Sequence, residues 1–146
     1  MANVVPYAFP VELLSGTHNF ASDTFKLALY TASPYNTAST VYVTASETTG
    51  TEYSAGGNTL TGNAVSNVAN YATVDFTDSE WGNPTPASFS AAFGAIYNSS
   101  QANKLIVVLD FGGTKSCSNG TFTVTFPSPT SGSPSGADAL LSIKSN

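Results

Sequence analysis

The sequence predicts an all-β fold, either an antiparallel β-sandwich (jelly-roll-like) or a barrel, with one short N-terminal helix and an extended terminal arm. Three observations lead to this prediction. Short runs of β-branched and aromatic residues recur along the chain, turn signals rich in Gly, Pro, Asn and Ser separate them, and a single stretch has helical character. The length of 146 residues suits one domain, and no apolar run approaches the ~18 residues that a membrane helix needs.

The N-terminal part is predicted to be an arm followed by a short helix between Val5 and Gly16. Pro10 suits the first turn of that helix, and Gly16 is a natural stop. The apolar face of the helix comprises Val11, Leu13 and Leu14. The chain is therefore predicted to divide into residues 1–20, the arm and helix, and residues 21–146, a single β-sandwich domain. No basic residue precedes the first apolar positions, so the start does not resemble a secretory signal, and we expect synthesis in a cytoplasm.

The first strand is predicted over Thr24–Thr31, where apolar and polar positions alternate. Phe25, Leu27 and Leu29 would share one face, which is typical of a half-buried strand. A second β-branched run, Thr40–Thr44, predicts another strand, and the polar, Gly-rich stretch after it predicts a loop.

Further along, three short strands are predicted. Thr59–Thr61 and Ala64–Val68 are separated by Gly62 and Asn63, and Ala72–Phe76 alternates again.

A rigid corner is predicted at Trp81–Pro86, because two prolines restrict the backbone there. Ser88–Asn98 then predicts a strand by alternation, and Asn98–Asn103 predicts a polar turn. Lys104–Phe111 is almost continuously apolar, which predicts a strand buried on both faces. We expect Gly112–Gly113 to turn the chain at the end of that strand.

The C-terminal part predicts two more strands and a linker. Thr121–Phe126 alternates apolar residues with threonine, Pro127–Gly136 has the composition of a linker, and Ala139–Lys144 returns as a last strand. We expect this last strand to join the same sheet or the sheet of a neighbouring subunit.

Composition excludes several classes of function. The chain has four basic and nine acidic residues, a net charge of −5 and a single His. So few cations argue against binding to nucleic acid, whose phosphates need a basic surface. One His and one Cys also make most metal sites and disulfide frameworks improbable.

Few residues suggest chemistry, and we predict no catalytic, cofactor-binding or metal-binding residue. Asp75, Asp78 and Glu80 offer oxygen ligands for a cation such as calcium, but a solvated strand end explains them better. Glu12 and Glu52 have no feature that brings them together as an acid–base pair. A lone histidine such as His18 is usually a hydrogen-bonded packing residue rather than a ligand or a switch, and Cys117 is expected to be a small residue in a polar loop.

Aromatic residues make up 12% of the chain while charged residues make up only 9%, a balance that suits a binding surface. The candidate interface residues lie in the N-terminal arm and in the less regular segments. They are Val4, Val5, Tyr7, Phe9, Tyr35, Tyr42, Tyr53 and Trp81.

Six strings, in this order, resemble a family of small structural proteins from tailed bacteriophages. They are Gly16–Asn19, Asp23–Thr31, Tyr53–Gly62, Gly94–Asn98, Val108–Gly113 and Gly120–Pro127. No single string is diagnostic, and the ordered set covers the chain from about Leu14 to Ile143.

The resemblance implies a virion protein without enzymatic activity, similar to the capsid decoration (cement) proteins of phage heads. Such a protein binds the outer surface of the major capsid protein shell and stabilises the head. Its implied partners are the major capsid protein and copies of itself, with a homotrimer as the implied assembly. From the composition and the lack of a long apolar run we expect no nucleic-acid or membrane partner, and we expect no cofactor. The resemblance makes the cytoplasm in which the protein is made that of the bacterial host.

Two alternatives stay open at this point. Some members of the family are known only as structural proteins, so a tail, neck or fibre position is possible. The aromatic content also suits a carbohydrate-binding adhesion module, because sugar rings stack on aromatic side chains.

Overall fold

The computed structural model of the chain describes residues 3–68, 70–127 and 140–144. One helix, α1 (Ala8–Leu14), precedes the strands. The strands are β1 (Phe25–Tyr30), β2 (Asn58–Thr59), β3 (Ala64–Val68), β4 (Tyr71–Asp75), β5 (Ser79–Trp81), β6 (Ala87–Asn98), β7 (Lys104–Gly120), β8 (Phe122–Val124) and β9 (Leu141–Lys144). The prediction of an all-β fold with antiparallel sheets and one short helix is confirmed.

The largest sheet has four antiparallel strands in the order β2-β1-β6-β7. β1 pairs with β6 along its whole length, from Phe25 opposite Asn98 to Tyr30 opposite Phe93. β6 and β7 form a long hairpin, and its turn lies in the polar segment that the sequence predicts. The side chains of β1 and β6 are buried on both faces rather than on one, because an apolar cluster covers each face of the sheet.

β7 continues through Gly112–Gly113, where the sequence predicts a turn. Phe93 lies opposite Asp110 and Ala91 lies opposite Lys115, so β7 has more residues than β6 in this interval. The two glycines have φ values of 71° and 124°, which lets the extra residues bulge out before pairing resumes. The predicted turn is therefore wrong, because the glycines form a bulge within one strand.

Two smaller sheets complete the described part of the fold. β4 lies between β3 and β9 in a three-stranded sheet, and β5 pairs with β8. The last strand thus pairs within its own chain, with Leu141 opposite Val74. Of the predicted linker Pro127–Gly136, all but Pro127 lies outside the described residues.

Within the described ranges, no sheet closes on itself, and the barrel alternative is wrong. A barrel has no free edges because its first and last strands pair. Here β2 and β7 are the two edges of the largest sheet and are not hydrogen-bonded to each other.

The predicted strand at Thr40–Thr44 is also wrong, because this segment makes one bridge to the sheet and does not form a strand. A single bridge, between Val41 and Lys104, is the β pairing found here. Tyr42 stacks on Tyr97 with ring centroids 4.6 Å apart. The β-branched composition fits a strand, but the segment is held by this aromatic contact and by two backbone hydrogen bonds. The N–H of Tyr42 donates to Asn103 and the N–H of Leu105 donates to Thr40, each at 2.9 Å, and no longer ladder forms.

The largest sheet carries an apolar core on each face. Alternate residues of β1, such as Phe25 and Leu27, join a cluster that includes Trp81 of β5. Tyr30 points to the other face and packs with Tyr35 in a second cluster. This arrangement follows from the two-residue period of a strand.

The N-terminal segment lies against this sheet. Val4 pairs with Val108 on the outer edge of β7 through backbone hydrogen bonds of 2.8 and 2.9 Å, and Phe9 of α1 is buried. The N–H groups of Gly16 and Thr17 donate to carbonyls in the last turn of α1. This is a Schellman pattern, with Gly16 at φ 75°, so the predicted helix stop is confirmed.

Candidate interaction surface

The outer side of α1 exposes an apolar stripe. Tyr7, Val11 and Leu14 are 73%, 67% and 89% exposed. Their spacing of four and three residues places them on one side of the helix. Large apolar side chains this exposed in neighbouring positions are typical of a binding surface.

The stripe exists because α1 is apolar on two sides. Phe9 is buried in the core and Leu13 packs against it, which fixes the inner side of the helix. The sequence pattern predicts one apolar face for Val11, Leu13 and Leu14, but Val11 and Leu14 point outward. A helix with apolar residues on both its inner and its outer side needs cover on the outer side as well.

The apolar surface continues from α1 onto the small sheet of β3, β4 and β9. A cleft of about 280 Å³ separates the helix from β9. Its lining residues are Val5, Phe9, Pro10, Leu13, Leu14, Leu141 and Ile143. A second cleft of about 440 Å³ runs between residues 13–21 and the apolar face of the same sheet, where Val65, Val74 and Ile143 contribute. No lysine or carboxylate is among the residues that line either cleft.

Six exposed apolar side chains border these clefts or lie on the adjoining helix stripe. They are Val5, Tyr7, Val11, Leu14, Val65 and Ile143, and they define the α1 surface. Two of the eight predicted interface residues, Val5 and Tyr7, belong to it. The other four are not among the predicted interface residues, although apolar residues on both sides of α1 indicate an exposed apolar side for Val11 and Leu14.

The other predicted interface residues lie elsewhere. Phe9, Tyr35 and Trp81 are buried within the chain and leave no side-chain surface for a partner. Val4 is half-buried in its bridge to β7. Tyr42 and Tyr53 are half-buried and hydrogen-bonded to one carboxylate.

That carboxylate belongs to Glu47, which fastens the long loop between β1 and β2. The hydroxyls of Tyr42 and Tyr53 donate to it at 2.6 and 2.8 Å, and the backbone N–H of Gly56 donates at 2.6 Å. Tyr53 Oη in turn accepts the N–H of Leu29 in β1 at 2.9 Å. The cluster thus joins three points of the loop to Glu47, and Tyr53 joins the cluster to β1.

The phenols around Glu47 are held neutral. Burial raises the pKa of Tyr42 and of Tyr53, and the hydrogen bonds that both hydroxyls donate to the Glu47 carboxylate raise the pKa of each further. Burial, with the same negative charge nearby, raises the pKa of Tyr97 to about 12. These tyrosines support the fold rather than a surface.

His18 lies in a second polar cluster, beneath α1. Its Nε2 is 3.1 Å from Glu12 Oε2 and its Nδ1 is 3.1 Å from Asn98 Nδ2. Glu12 also pairs with Lys104. Burial raises the pKa of Glu12, but the hydrogen bonds from Lys104 and His18 outweigh it, and the net pKa lies below the ordinary value. The expectation that His18 is a hydrogen-bonded packing residue is confirmed.

The remaining candidates for chemistry are occupied by structural contacts. Asp75 and Asp78 accept the backbone N–H groups of Phe76 and Phe126, each at 2.9 Å. Among the described residues, no three His, Cys, Asp or Glu side chains are grouped so that they would hold a metal ion. Cys117 lies in β7 rather than in the expected loop, half-buried.

The helix in the described part of the chain is too short to cross a membrane. Comparison of the chain with protein-family models, with curated proteins and with solved structures finds no match.

Proposed function

We propose that this chain is a capsid decoration (cement) protein of a tailed bacteriophage. It binds the outer surface of the major capsid protein shell through the α1 surface and stabilises the head, without enzymatic activity. The observation that carries the proposal is the continuous, uncharged apolar surface formed by α1 and the small sheet. The choice of the major capsid protein as the partner is based on the ordered sequence segments that resemble phage structural proteins.

The uncharged α1 surface and the negative net charge support a place on the outer surface of the shell. A contact with a shell protein requires an apolar centre that excludes water, which the α1 surface offers. The net charge of −5 favours the outside of the shell, away from packaged DNA.

The assembly that we propose is a homotrimer on the outer surface of the phage head, made in the host cytoplasm. We also propose that the sheets pack as a jelly-roll-like sandwich. The core on both faces of the four-stranded sheet supports a layered fold. An experimental structure of the whole chain tests the jelly-roll topology.

The scarcity of exposed aromatic rings weighs against the carbohydrate-binding alternative. Stacking on sugars needs several exposed ring faces. All the aromatic residues are described, and Tyr7 is the only one among them that is exposed rather than half-buried or buried. The number of copies in each particle distinguishes a protein of the tail or fibre from a protein of the head.

Cosedimentation with phage heads that have been stripped of the protein tests the proposal. We expect the wild-type chain to rebind in hundreds of copies for each head and to restore resistance to heat. A few dozen copies, or binding to tails alone, would contradict a place on the head.

Two lysine substitutions locate the contact. Val11→Lys with Leu14→Lys should weaken binding at least about 30-fold, as expected when central apolar contacts are lost. Val43→Lys is the matched control, because Val43 is 38% exposed on a different segment. Equal binding by all three proteins, or equal loss in the control, would show that α1 is not the contact.

A further inference from the structure

Each sheet in the described part of the chain has two outer edges, and most of these edges carry a feature that discourages further pairing. β2, β5 and β8 have only two or three residues. β7 is interrupted by the bulge at Gly112–Gly113 and carries Lys115, and β9 ends at Lys144. Very short edges, bulges and lysines are means by which proteins keep an exposed edge from pairing with another chain.

The outer edge of β3 has none of these features. Its five residues, Ala64–Val68, include no charged residue, proline or glycine. Its pairing with β4 is continuous, from Ala64 opposite Asp75 to Val68 opposite Tyr71. All but Val68 are exposed, and no described strand pairs with the outer side of β3. An edge of this kind is a template for a further strand.

We infer that β3 pairs with β3 of a second copy of this chain, antiparallel and about a twofold axis at Ser66. This register pairs all five residues of each strand and places Val65 of one copy opposite Asn67 of the other. Because every second residue of β3 points its N–H and C=O away from β4, about four to six backbone hydrogen bonds join the copies. Two three-stranded sheets thereby form one continuous sheet.

The charges of the small sheet favour a second copy in this orientation. Asp75 lies opposite Ala64 at one end of the sheet, and Lys144 lies opposite Tyr71 at the other end. Antiparallel pairing places the acidic end of each small sheet beside the basic end of the other, whereas parallel pairing would place ends of the same charge side by side. Four strand spacings, about 19 Å, separate Asp75 from Lys144 of the other copy, so the charges select the orientation and the hydrogen bonds provide the affinity. β3 itself is uncharged, so no like charges face each other across the new pair.

Pairing at this edge leaves the α1 surface accessible. The backbone groups of a strand bond within the plane of the sheet, whereas its side chains project from the two faces. Val65 therefore stays on the apolar face with Ile143, where both belong to the α1 surface. A twofold contact also differs from the threefold axis of the proposed trimer, so it links copies of different trimers.

Sedimentation of the full chain over a range of concentrations tests the pairing. We expect an association step that doubles the mass, whether the unit that doubles is a monomer or a trimer. Asn67→Lys places a lysine in each of the two facing strands and should weaken this step at least about tenfold. Ser118→Lys is the matched control, because Ser118 is exposed on β7, an edge that already carries a lysine. It should associate as the wild type does. The absence of doubling up to about 1 mM, or equal association by the two variants, would overturn the inference.

Cysteine cross-linking tests the register and decides the question by itself if Asn67→Lys does not fold. Directly opposite residues of antiparallel strands have Cα atoms about 4.5–5.5 Å apart, which suits a disulfide. In a Cys117→Ser background, Ser66→Cys should link two chains under mild oxidation at least about tenfold faster than Ser118→Cys. Equal rates would overturn the twofold pairing at Ser66. Neither experiment involves phage heads, so the results are independent of the proposed function.

Discussion

Removing the Glu47 carboxylate tests whether one side chain fastens the long loop to the sheet. Glu47→Ala would leave three donors without their acceptor, the hydroxyls of Tyr42 and Tyr53 and the N–H of Gly56. The first two are half-buried and the third is fully buried, so water replaces the carboxylate incompletely.

The expected loss of stability follows from these contacts. A hydrogen bond to a charged group contributes about 1.5 kcal/mol at the lower end of the observed range. Water compensates for about half of the loss at each of the two hydroxyls. The expected loss in the free energy of unfolding from all three bonds is therefore about 3 kcal/mol. For a domain of 146 residues this lowers the melting temperature by about 10 °C.

Urea and thermal unfolding, followed by the fluorescence of the buried Trp81, measure the loss. Glu52→Ala is the matched control, since Glu52 is an exposed glutamate in the same loop. It should change stability by less than about 0.5 kcal/mol. If Glu47→Ala lost no more stability than Glu52→Ala, the Glu47 cluster would not be what fastens the loop.

Two further predictions concern glycine and tyrosine. A Cβ at Gly57 would lie 1.8 Å from the carbonyl oxygen of Leu27, whereas a Cβ at Gly16 would meet nothing within 4 Å. Both glycines have positive φ, so Gly16→Ala should lower the free energy of unfolding by about 1 kcal/mol. Gly57→Ala adds the clash with Leu27 and should lower it by at least about 3 kcal/mol in urea unfolding. Equal losses in the two variants would refute the steric argument. The raised pKa of Tyr97, about 12, means that the folded state holds its proton more tightly, so stability should be full below a pH of about 10 and fall as the pH rises toward 12. A titration of tyrosinate absorbance beside unfolding curves measures this, and full ionisation of the native protein by a pH of about 10.5 would contradict it.

Local patterns predict the strands well where side-chain alternation and sheet pairing agree. Thr24–Thr31 and Ser88–Asn98 differ from β1 and β6 by a residue or two at their ends. Thr40–Thr44 has the same kind of composition but pairs with β7 only through the bridge between Val41 and Lys104. Gly112–Gly113 can form either a turn or a bulge. In both cases the outcome depends on contacts with residues far away in the sequence, such as the stacking of Tyr42 on Tyr97.

The candidate surface was predictable in part. Exposed apolar residues at the N-terminus suggest contact with a partner, and Val5 and Tyr7 follow from that argument. Whether Leu13 or its neighbours Val11 and Leu14 are exposed depends on which side of α1 meets the core. The burial of Phe9 places Leu13 on the inner side and leaves Val11 and Leu14 exposed. The contributions of Val65 and Ile143 arise from the pairing of β3, β4 and β9, which no local pattern encodes.

A cryo-electron microscopy reconstruction of decorated phage heads measures most directly where this protein binds. We predict density for the chain on the outer surface of the shell, with Val11 and Leu14 of α1 against the major capsid protein. Density confined to the tail, or α1 facing solvent in every copy, would contradict the proposed function.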